Sequence, residues 1–370
     1  MKKKIVLISS SLAGGGSEGV CMNLANNLVV RGWQVDLIVL NLNNQVYLDG
    51  LLENVNLINL NKSNTRYSSI SLLKYIYQNK PKVFLVFSYE LSVMLVILRK
   101  IFNLRIKIIS RNVSTLTIRI DQLKKKNLWT RYIAGPLIKY FYQELDHVIN
   151  QCNDMRIDLI SEYPQLIKKS SIIFNPLSNN ISDYIKSNDL KKFKKKNYIL
   201  CVGRLESVKS FNYAIEAFAG ISDKFPKLRL KIVGKGSLKV SLKKQAMELN
   251  VSDRVDFEGF QKNVIPYYLH AQATILTSIY EGYPNTLIES LALGTPVVAF
   301  NCKSGPSEIV KNHKNGYLVK YLDVEDLKDK ICVILSKKFD RDNISLTVKR
   351  NQVENISDLY ENLINSMIVN

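Results

Sequence analysis

The feature that most constrains the fold is an alternation of short apolar runs with stretches of helical spacing. Its first instance is the run Lys4–Ser10, three glycines, a helical stretch Glu18–Val30, the break at Gly32, and a second apolar run Val35–Leu40. Apolar runs of this length are typical of strands that are buried on both faces of a parallel sheet. A strand, a helix and a strand in succession predict a parallel sheet with right-handed crossovers.

The same alternation fills two separate parts of the chain. In the first part we predict a helix at Ile70–Gln78 and strands at Val83–Phe87, Ile106–Ser110, His147–Asn150 and Ser171–Phe174. Asn175-Pro176 then breaks the pattern, and the polar, lysine-rich stretch 178–197 is interpreted as the linker. In the second part we predict strands at Tyr198–Val202, Leu228–Val233, Val255–Phe257, Thr274–Leu276 and Val297–Phe300, and helices at Asn212–Lys224, Leu238–Leu249, Asn285–Leu293 and Val324–Leu335.

These patterns predict an α/β protein with two Rossmann-like domains, residues 1–180 and 190–345. A final helical stretch within 346–370, about Leu346 to Ile368, can cross back onto the first domain. A length of 370 residues fits this division, because one hydrophobic core rarely serves so long a chain.

Composition excludes several classes of protein. The five cysteines are odd in number and form no C-x-x-C pair, which favours buried thiols in a reducing compartment. The three histidines are scattered, so no metal cluster is predicted. The longest apolar run, Val83–Leu98, is too short for a membrane span and contains Glu90. We therefore expect a cytoplasmic protein without a membrane span.

The net charge of +20 is somewhat larger in the first half of the chain than in the second. Residues 1–180 contain 23 lysines and arginines against 11 aspartates and glutamates, a balance of +12. Nucleic acid, anionic lipid, phosphorylated small molecules or a plain bias towards lysine would each account for this balance. No nucleic-acid reader motif is present, so no such partner is predicted. The basic, aromatic segment Lys124–Tyr142 either lies in a membrane interface or packs on its own domain with its lysines in water.

The strongest motif for chemistry is the segment 281–289, in which seven residues separate two carboxylates. Asn285 is expected to cap a helix whose first turn exposes backbone N–H groups, and such a helix N-terminus attracts phosphate. Glu281 then lies in the loop before the anion site, near a sugar, and Glu289 lies inside the helix, near a ribose. The alternative is a capped helix with two surface glutamates.

Glycines follow three of the predicted strands. Gly203 and Arg204 follow Tyr198–Val202, with Lys209 in the same loop. Ligands bind at the carboxyl ends of strands in open α/β sheets, so Arg204 and Lys209 are candidates for holding a diphosphate, or else a solvated pair of charges. The glycine run 14–16 and Gly234 allow close backbone approach to a phosphate or nucleotide, and a tight turn explains them as well.

Together these segments resemble the family-4 glycosyltransferases (glycosyl transferases group 1) of the GT-B fold. The resemblance covers most of the chain. Its motifs are, in order, the glycine loop, Asn175-Pro176, Gly203-Arg204-Leu205 with Lys209, the Val-Gly-x-Gly at 233–236, and the segments 278–289, 294–298 and 305–308.

The resemblance implies two Rossmann-like domains that face each other across a cleft. It also implies retaining, metal-independent transfer of a hexosyl or N-acetylhexosaminyl group from a nucleoside-diphosphate sugar, which we expect to be linked to UDP. The implied acceptor is lipid-linked or a polysaccharide in cell-surface glycan synthesis. The nucleotide sugar is a substrate, so no cofactor is expected.

The resemblance further implies roles for individual residues. Arg204 and Lys209 would hold the diphosphate and, with Glu281, would be the catalytic residues. Glu289 would bind the donor ribose. The other donor-binding residues would be Gly15, Gly16, Gly203, Gly234, Gly282, Tyr283, Asn285, Thr286 and Leu287.

Two further segments are a pair of strand ends without the histidine of the family and a D-x-D sequence near the C-terminus. Many family members have a histidine near the sugar, whereas here the corresponding stretches are Ser88-Tyr89-Glu90 and Ser110-Arg111-Asn112. Arg111 becomes a candidate on the acceptor side, or a structural arginine at the end of a strand. Asp340-Arg341-Asp342 spells the metal-binding D-x-D of a different glycosyltransferase fold, but its charged surroundings favour a solvated surface.

Two other functions stay open on the same fold. One is a nucleotide-sugar epimerase, against which the Gly-Tyr-Pro-Asn context after Glu281 argues. The other is a non-catalytic partner subunit, against which the intact set Arg204, Lys209, Glu281 and Glu289 argues. The expected location is the cytoplasm, peripheral at the inner face of the cell membrane, with an anionic membrane surface as a partner.

Overall fold

The computed structural model describes residues 3–43, 46–118, 120, 121, 128 and 130–369. The chain divides into two compact units: unit 1 is Met1–Ser178 with Val353–Asn370, and unit 2 is Asn179–Gln352. Five residues of the basic segment lie outside the described residues: Lys124, Lys125, Lys126, Asn127 and Trp129. No helix in the described ranges is long and apolar enough to cross a bilayer.

Unit 1 is built on a seven-stranded parallel sheet in the order β3-β2-β1-β4-β5-β6-β7. Alternate residues of β1 enter hydrophobic clusters on opposite faces of the sheet, Val6 and Ile8 on one and Ile5 and Leu7 on the other. This two-sided burial explains why the strands are unbroken apolar runs. The strands are β1 Lys4–Ser9, β2 Gln34–Val39, β3 Asn56–Asn59, β4 Val83–Val86, β5 Lys107–Arg111, β6 His147–Asn150 and β7 Ser170–Ile172.

Helices cover both faces of this sheet. Ser88 caps the third of them, and its side chain accepts a hydrogen bond from the backbone N–H of Leu91 at 3.4 Å. These helices are α1 Gly16–Val30, α2 Ser69–Asn79, α3 Tyr89–Ile101, α4 Gly135–Phe141 and α5 Asn153–Glu162.

Unit 2 has a six-stranded parallel sheet in the order β10-β9-β8-β11-β12-β13. Its strands are β8 Tyr198–Val202, β9 Arg229–Val233, β10 Val255–Gly259, β11 Ala273–Leu276, β12 Val297–Phe300 and β13 Gly316–Val319. Its helices are α6 Asn179–Ser187, α7 Phe211–Ile221, α8 Lys239–Glu248, α9 Ile265–His270, α10 Asn285–Ala292, α11 Pro306–Ile309, α12 Val324–Ser336 and α13 Arg341–Leu346. The predicted pair of Rossmann-like domains is confirmed.

The structure differs from the prediction over the polar stretch 178–197. This stretch is not an open linker, because α6 begins it and belongs to unit 2. Ile181 is 2% exposed, and α6 contacts α10. One apolar face was enough to dock a helix that is otherwise polar.

The last helix, α14 Val353–Val369, belongs to unit 1. Its inward face, formed by Ile356, Tyr360 and Ile364, is at most 1% exposed and completes a hydrophobic cluster of that unit. The helix starts later than predicted, because residues 341–346 form the separate helix α13 within unit 2.

Candidate active site

The candidate site of unit 2 lies where its strand order reverses. From β8 the chain builds β9 and β10 on one side, and it then returns to place β11 on the other side of β8. Loops that leave neighbouring strands in opposite directions open a crevice at the carboxyl edge of the sheet, where ligands bind in this class of fold. The loop after β8 carries Gly203, Arg204 and Lys209, and the loop after β11 carries Glu281.

Lys209 and Glu281 form an ion pair in this crevice. The Lys209 Nζ lies 2.5 Å from the Glu281 Oε1, and the two side chains are 17% and 12% exposed. The Ser278 hydroxyl donates to the same oxygen at 2.6 Å. Both loops are also tied through the Lys209 carbonyl, which accepts from the Thr277 hydroxyl at 3.0 Å. The structure therefore brings together two residues that are 72 positions apart in sequence.

Arg204 occupies a more open position in the same loop. Its side chain is exposed. Hydrogen bonds from the backbone N–H and the hydroxyl of Ser237 hold the pKa of Glu206 below its usual value, and the Arg204 charge adds to this effect. Glu206 is a neighbour of the site that the sequence reasoning missed, since its contact with Ser237 depends on tertiary folding.

Gly234 has a packing role in this structure. Its φ is +145°, and an added Cβ would lie 1.8 Å from the carbonyl oxygen of Gly203. A Cβ on Gly236 would likewise lie 2.4 Å from the Leu205 carbonyl oxygen. The loops after β8 and β9 are thus packed backbone against backbone, which only glycine permits.

Helix α10 presents its N-terminus directly after the loop that contains Glu281. Pro284 is its N-cap and Asn285 its first helical residue, so the expected cap at Asn285 is wrong. Proline supplies the extended backbone here, with φ −70° and ψ 106°. The buried hydroxyl of Thr286 has no hydrogen-bond partner in the described part of the chain. Leu287 is fully buried, and its N–H donates to the Pro284 carbonyl at 3.1 Å.

Tyr283 anchors the loop through its ring. The side chain is 4% exposed, and its hydroxyl accepts hydrogen bonds from Arg350 at 3.2 Å and Asn351 at 3.4 Å. Burial raises the pKa of this phenol. Only the backbone of Tyr283 and of the buried Gly282 is therefore suited to contact a ligand.

Glu289 lies one turn inside α10 and is half-buried. The fully buried Tyr268 donates its hydroxyl to the Glu289 Oε2 at 3.1 Å. Burial raises the pKa of Glu289 to about 7, and the hydrogen bond from Tyr268 opposes that rise. Tyr268 was not found from the sequence, because no local pattern connects α9 to α10.

The glycine loop of unit 1 differs from the site of unit 2 in charge. Gly15 caps α1, Gly16 begins it, and the Glu18 carboxylate accepts a hydrogen bond from the Gly15 N–H. The Ser11 hydroxyl donates to the other carboxylate oxygen at 2.6 Å. A negative side chain therefore already occupies this helix N-terminus, which disfavours a phosphate there.

Arg111 lies inside unit 1, at the end of β5. Its side chain is 1% exposed, donates through Nε to the Tyr360 hydroxyl at 2.7 Å and through Nη2 to the Asn175 side chain. Its guanidinium also lies 5.1 Å from the centre of the Phe87 ring. This burial favours the structural interpretation of Arg111 over direct contact with an acceptor.

The D-x-D sequence has structural partners. Asp340 caps α13 by accepting from the Asn343 N–H at 2.9 Å, and Asp342 pairs with Lys191 at 2.6 Å. Within the described residues, no group of three or more His, Cys, Asp or Glu side chains is arranged to hold a metal ion.

Two parallel-sheet Rossmann-like units, the second with a lysine–glutamate pair and a helix N-terminus at its switch point, have the architecture of the GT-B fold. Residues 184–351 match the model of the family "Glycosyl transferases group 1". The matched segment lies within unit 2 and contains Arg204, Lys209, Glu281 and Glu289.

The chain is also similar to named relatives and, in fold, to solved structures. The chain is 23% identical over 361 residues to the amylovoran biosynthesis glycosyltransferase AmsD of Erwinia amylovora, covering 96% of each protein. It is 31% identical over 196 residues to the N-acetylgalactosamine-N,N'-diacetylbacillosaminyl-diphospho-undecaprenol 4-alpha-N-acetylgalactosaminyltransferase of Campylobacter jejuni, covering 53% of this chain and 52% of that protein. The Anabaena protein HepE in complex with UDP is similar in fold, with a TM-score of 0.75, 17% identity and coverage of 98% and 100%.

Proposed function

We propose that this glycosyltransferase moves a hexosyl or N-acetylhexosaminyl group from a UDP-linked sugar, with retention of anomeric configuration, to a lipid-linked or polysaccharide acceptor. The observation that carries the proposal is the Lys209–Glu281 pair at the switch point of unit 2, directly before the N-terminus of α10. A cation and a helix N-terminus suit a diphosphate, and a carboxylate suits sugar hydroxyls. The names of the relatives from Erwinia and Campylobacter support the acceptor class.

In this proposal each site residue has one task. Arg204 and Lys209 bind the diphosphate, together with backbone N–H groups of Gly203, Gly282 and residues 283–287. Glu281 accepts hydrogen bonds from the transferred sugar, and Glu289 accepts them from the ribose. Gly15 and Gly16 of unit 1 receive no task here, because the Gly15 N–H already donates to the Glu18 carboxylate. Gly234 supports Gly203 from behind.

The proposed reaction is attack by an acceptor hydroxyl on the anomeric carbon from the face that the diphosphate leaves. The bond from that carbon to the diphosphate oxygen breaks as the new C–O bond forms, and the departing diphosphate takes the hydroxyl proton. Negative charge develops on the leaving diphosphate, and Arg204, Lys209 and the α10 N-terminus stabilise it. Two side-chain cations supply the compensation that a divalent metal gives in other enzymes. We therefore infer that transfer is metal-independent.

We also infer that an anionic membrane surface is a partner and that the protein works peripherally at the inner face of the cell membrane. The +12 balance of residues 1–180 supports this inference. So does the diphospho-undecaprenol acceptor in the name of the Campylobacter relative.

The test is a panel of nucleotide sugars, assayed for hydrolysis and for thermal stabilisation of the protein, with magnesium and with excess EDTA. We expect a UDP-sugar to be hydrolysed equally under both conditions. Arg204→Ala and Lys209→Ala should each weaken UDP by about 1.5–3 kcal/mol, the value of a charge-assisted hydrogen bond. Lys244→Ala, at an exposed position on α8, is the matched control. The proposal would be wrong if no nucleotide sugar were hydrolysed or stabilised the protein, or if both Arg204→Ala and Lys209→Ala bound UDP as tightly as the parent.

A further inference from the structure

Unit 2 has a surface cavity of about 390 Å³ outside the candidate active site. Three segments line it: the loop before β13, the residues after α12, and helix α13 with the residue that follows it. Among the described residues that line the cavity, His313, Lys314, Lys337 and Lys338 are basic and only Asp340 is acidic. A volume of about 300–1,000 Å³ is usual for a small-molecule site, and the excess of basic residues favours an anionic ligand.

This cavity lies at the opposite edge of the sheet from the candidate active site. His313 and Lys314 directly precede β13 and therefore lie at the amino end of that strand. Lys337 directly follows α12, and its Nζ donates to the His313 carbonyl at 3.2 Å, so α12 ends at the same edge. The loops after β8 and β11, which carry the proposed diphosphate site, leave the carboxyl edge. A ligand in the cavity would therefore not compete with UDP.

The charges in the cavity are free to bind a ligand. The Asp340 carboxylate is already engaged, because it caps α13 by accepting a backbone N–H at 2.9 Å. Within the described residues, Lys314 and Lys338 have neither a hydrogen-bond nor an ion-pair partner, and both are exposed. Lys337 has a carbonyl partner, which leaves its charge without a counterion. Three lysines thus face one cavity with no available carboxylate between them.

The loop that carries His313 is fixed in position. The fully buried Asn315 donates its side-chain amide to the Ile309 carbonyl and to the Thr347 hydroxyl, each at 3.0 Å. His313 has a φ of +66°, in the left-handed region that residues other than glycine seldom occupy. Its ring packs edge-on against Tyr317, with ring centres 5.2 Å apart. The loop is therefore held to the end of α13, and the cavity is built into the fold.

A purely structural explanation accounts for only part of this cluster. The C-terminus of α12 attracts cations, so it favours Lys337 and Lys338 without any ligand. It does not account for Lys314, which reaches the cavity from a separate loop. Like charges brought together from two segments repel each other, and a bound anion would offset that repulsion.

Two apolar side chains indicate that the ligand has a carbon skeleton. Leu346 lines the cavity and is 62% exposed. Phe339 is half-buried in the same lining, and the Lys337 Nζ lies 5.3 Å from the centre of its ring. An inorganic anion would gain nothing from these two side chains, whereas the C–H groups of a sugar ring would pack on them.

We propose that this cavity binds a phosphate-bearing sugar, at a site separate from that of the nucleotide sugar. A phosphate monoester carries a charge of about −1.5 to −2, which suits three lysines better than a single carboxylate does. Lys314, Lys337 and Lys338 bind the phosphate, and the sugar ring packs on Phe339 and Leu346. A free sugar phosphate and a phosphorylated unit of a glycan share this chemistry.

The experiment is calorimetry on the full chain with saturating UDP, which occupies the proposed donor site. The ligands are glucose 6-phosphate, phosphorylated dextran, inorganic phosphate and glucose. Lys314→Gln/Lys338→Gln removes the two lysines without a partner in the described structure. Lys227→Gln/Lys239→Gln, at exposed positions of unit 2 outside the cavity, makes the same change of charge and is the matched control. Leu346→Ser removes part of the apolar lining.

We expect the parent and the control to bind glucose 6-phosphate but not glucose. Lys314→Gln/Lys338→Gln should bind it at least about tenfold more weakly, because two charge interactions are lost. Leu346→Ser should bind glucose 6-phosphate about three- to fivefold more weakly and inorganic phosphate like the parent. Tighter binding of phosphorylated dextran, per phosphate, than of glucose 6-phosphate would identify a glycan as the source, and the reverse order a free sugar phosphate.

The inference would be overturned if the parent bound no phosphate-bearing ligand, or if the double lysine variant bound them like the parent. Inorganic phosphate that binds as tightly as glucose 6-phosphate would overturn the assignment of a sugar.

UDP affinity and donor hydrolysis separate this inference from the proposed function. Both should be unaltered in Lys314→Gln/Lys338→Gln, since the cavity lies outside the donor site. If the parent binds no UDP, the proposed function fails, and the affinity of the lysine variant for glucose 6-phosphate still decides this inference.

Discussion

Lys209 and Glu281 are each more than four-fifths buried, and each is the other's ionic partner. A diphosphate that binds Lys209 must share it with the Glu281 carboxylate or displace that carboxylate. We therefore expect Glu281→Gln to bind free UDP more tightly, by about three- to tenfold, because the amide removes an anion near the phosphates. Donor hydrolysis should nevertheless slow, since Glu281 is proposed to contact the sugar in the transition state.

Calorimetry with UDP and steady-state hydrolysis rates measure these two effects separately. Glu248→Gln is the control, because it makes the same change of charge at the far end of α8, where the side chain is 61% exposed. If Glu281→Gln left UDP affinity unaltered or weakened it, Glu281 would not compete with the diphosphate for Lys209.

Glu289 gives the site a dependence on pH. Its pKa of about 7 leaves it largely protonated at pH 6, whereas a ribose hydroxyl donates best to the ionised form. UDP affinity of the parent should rise by up to about tenfold from about pH 6 to about pH 8, since each unit below the pKa costs a factor of ten in the ionised form. In Glu289→Gln the affinity should be weaker and its pH profile shallower, because only the terminal phosphate of UDP, with a pKa of about 6, still titrates in this range. An equally steep profile in the variant would assign the titration to another group.

For the same residue, folding stability changes with pH in the opposite direction to UDP affinity. The folded pKa lies above the unfolded value of 4.5. The unfolded chain thus loses its proton first as pH rises, and folding stability falls between about pH 4.5 and pH 7. Thermal unfolding should show this fall in the parent but not in Glu289→Gln.

At the residue scale, charged candidates for the site could be named from the sequence, whereas the residues that contact them could not. Arg204, Lys209 and Glu281 stand beside glycine and proline after apolar runs, a pattern typical of ligand loops. Ser278, Glu206 and Tyr268 were missed as partners. The Lys209–Glu281 and Tyr268–Glu289 contacts join residues 72 and 21 positions apart, so they exist only after the sheet has formed.

The contact between the loops after β8 and β9 makes a prediction about Gly234. Alanine there would combine a positive φ with a Cβ only 1.8 Å from the Gly203 carbonyl oxygen. We expect Gly234→Ala to lower the free energy of unfolding by at least about 3 kcal/mol, the sum of backbone strain and overpacking. Gly259→Ala is the control, since its φ is +72° but an added Cβ meets nothing within 4 Å. It should lose only about 1–2 kcal/mol.

Denaturant unfolding of both variants decides this prediction. Equal losses would show that the two loops can separate at little cost. In that case Gly234 would regain its interpretation as a direct nucleotide contact.

At the scale of elements, strongly periodic or unbroken apolar segments were predicted well. β6, β8 and β12 have the predicted bounds. β8 and β12 are apolar runs, and β6 is a fully buried strand with two apolar residues between His147 and Asn150. β3 and β13 were missed. β3 begins and ends with asparagine and is half-exposed, and β13 contains only four residues. α6 was missed because its polar sequence hides a single apolar face that tertiary packing uses.

At the scale of the whole molecule, unit 2 is continuous in sequence, whereas unit 1 needs α14 to complete a core. We expect residues 179–352, expressed alone, to fold cooperatively and to bind UDP within about tenfold of the full chain's affinity, because the proposed diphosphate residues of this unit are all present. Residues 1–178 alone should be unstable, since they expose the apolar surface that buries Ile356, Tyr360 and Ile364.

Adding a peptide of residues 353–370 to the 1–178 fragment is the discriminating measurement. Gain of cooperative unfolding with the peptide supports the prediction. A stable 1–178 fragment without it would show that α14 is dispensable for the core.

The two-domain architecture was predictable because its evidence is local and repeated. The alternation of strand and helix predicts parallel sheets, and the break after Asn175 predicts a second series. The strand order was not predictable from one sequence, because it depends on which distant strands pair. The sequence predicted only that α14 can pack on unit 1. The pattern of an amphipathic helix does not indicate which hydrophobic core the helix covers.

Arg111 binds Asn175, three residues before the chain leaves unit 1, and Tyr360, on the helix with which the chain returns. On the ribosome, this arrangement imposes an order of events. All 174 residues of unit 2 are synthesised before Tyr360 is. During that time the first 178 residues lack α14, so the Arg111 guanidinium and the apolar surface that α14 later covers stay exposed to solvent. The part of the protein that is made first is therefore the part that matures last, and it is the part that a chaperone would protect.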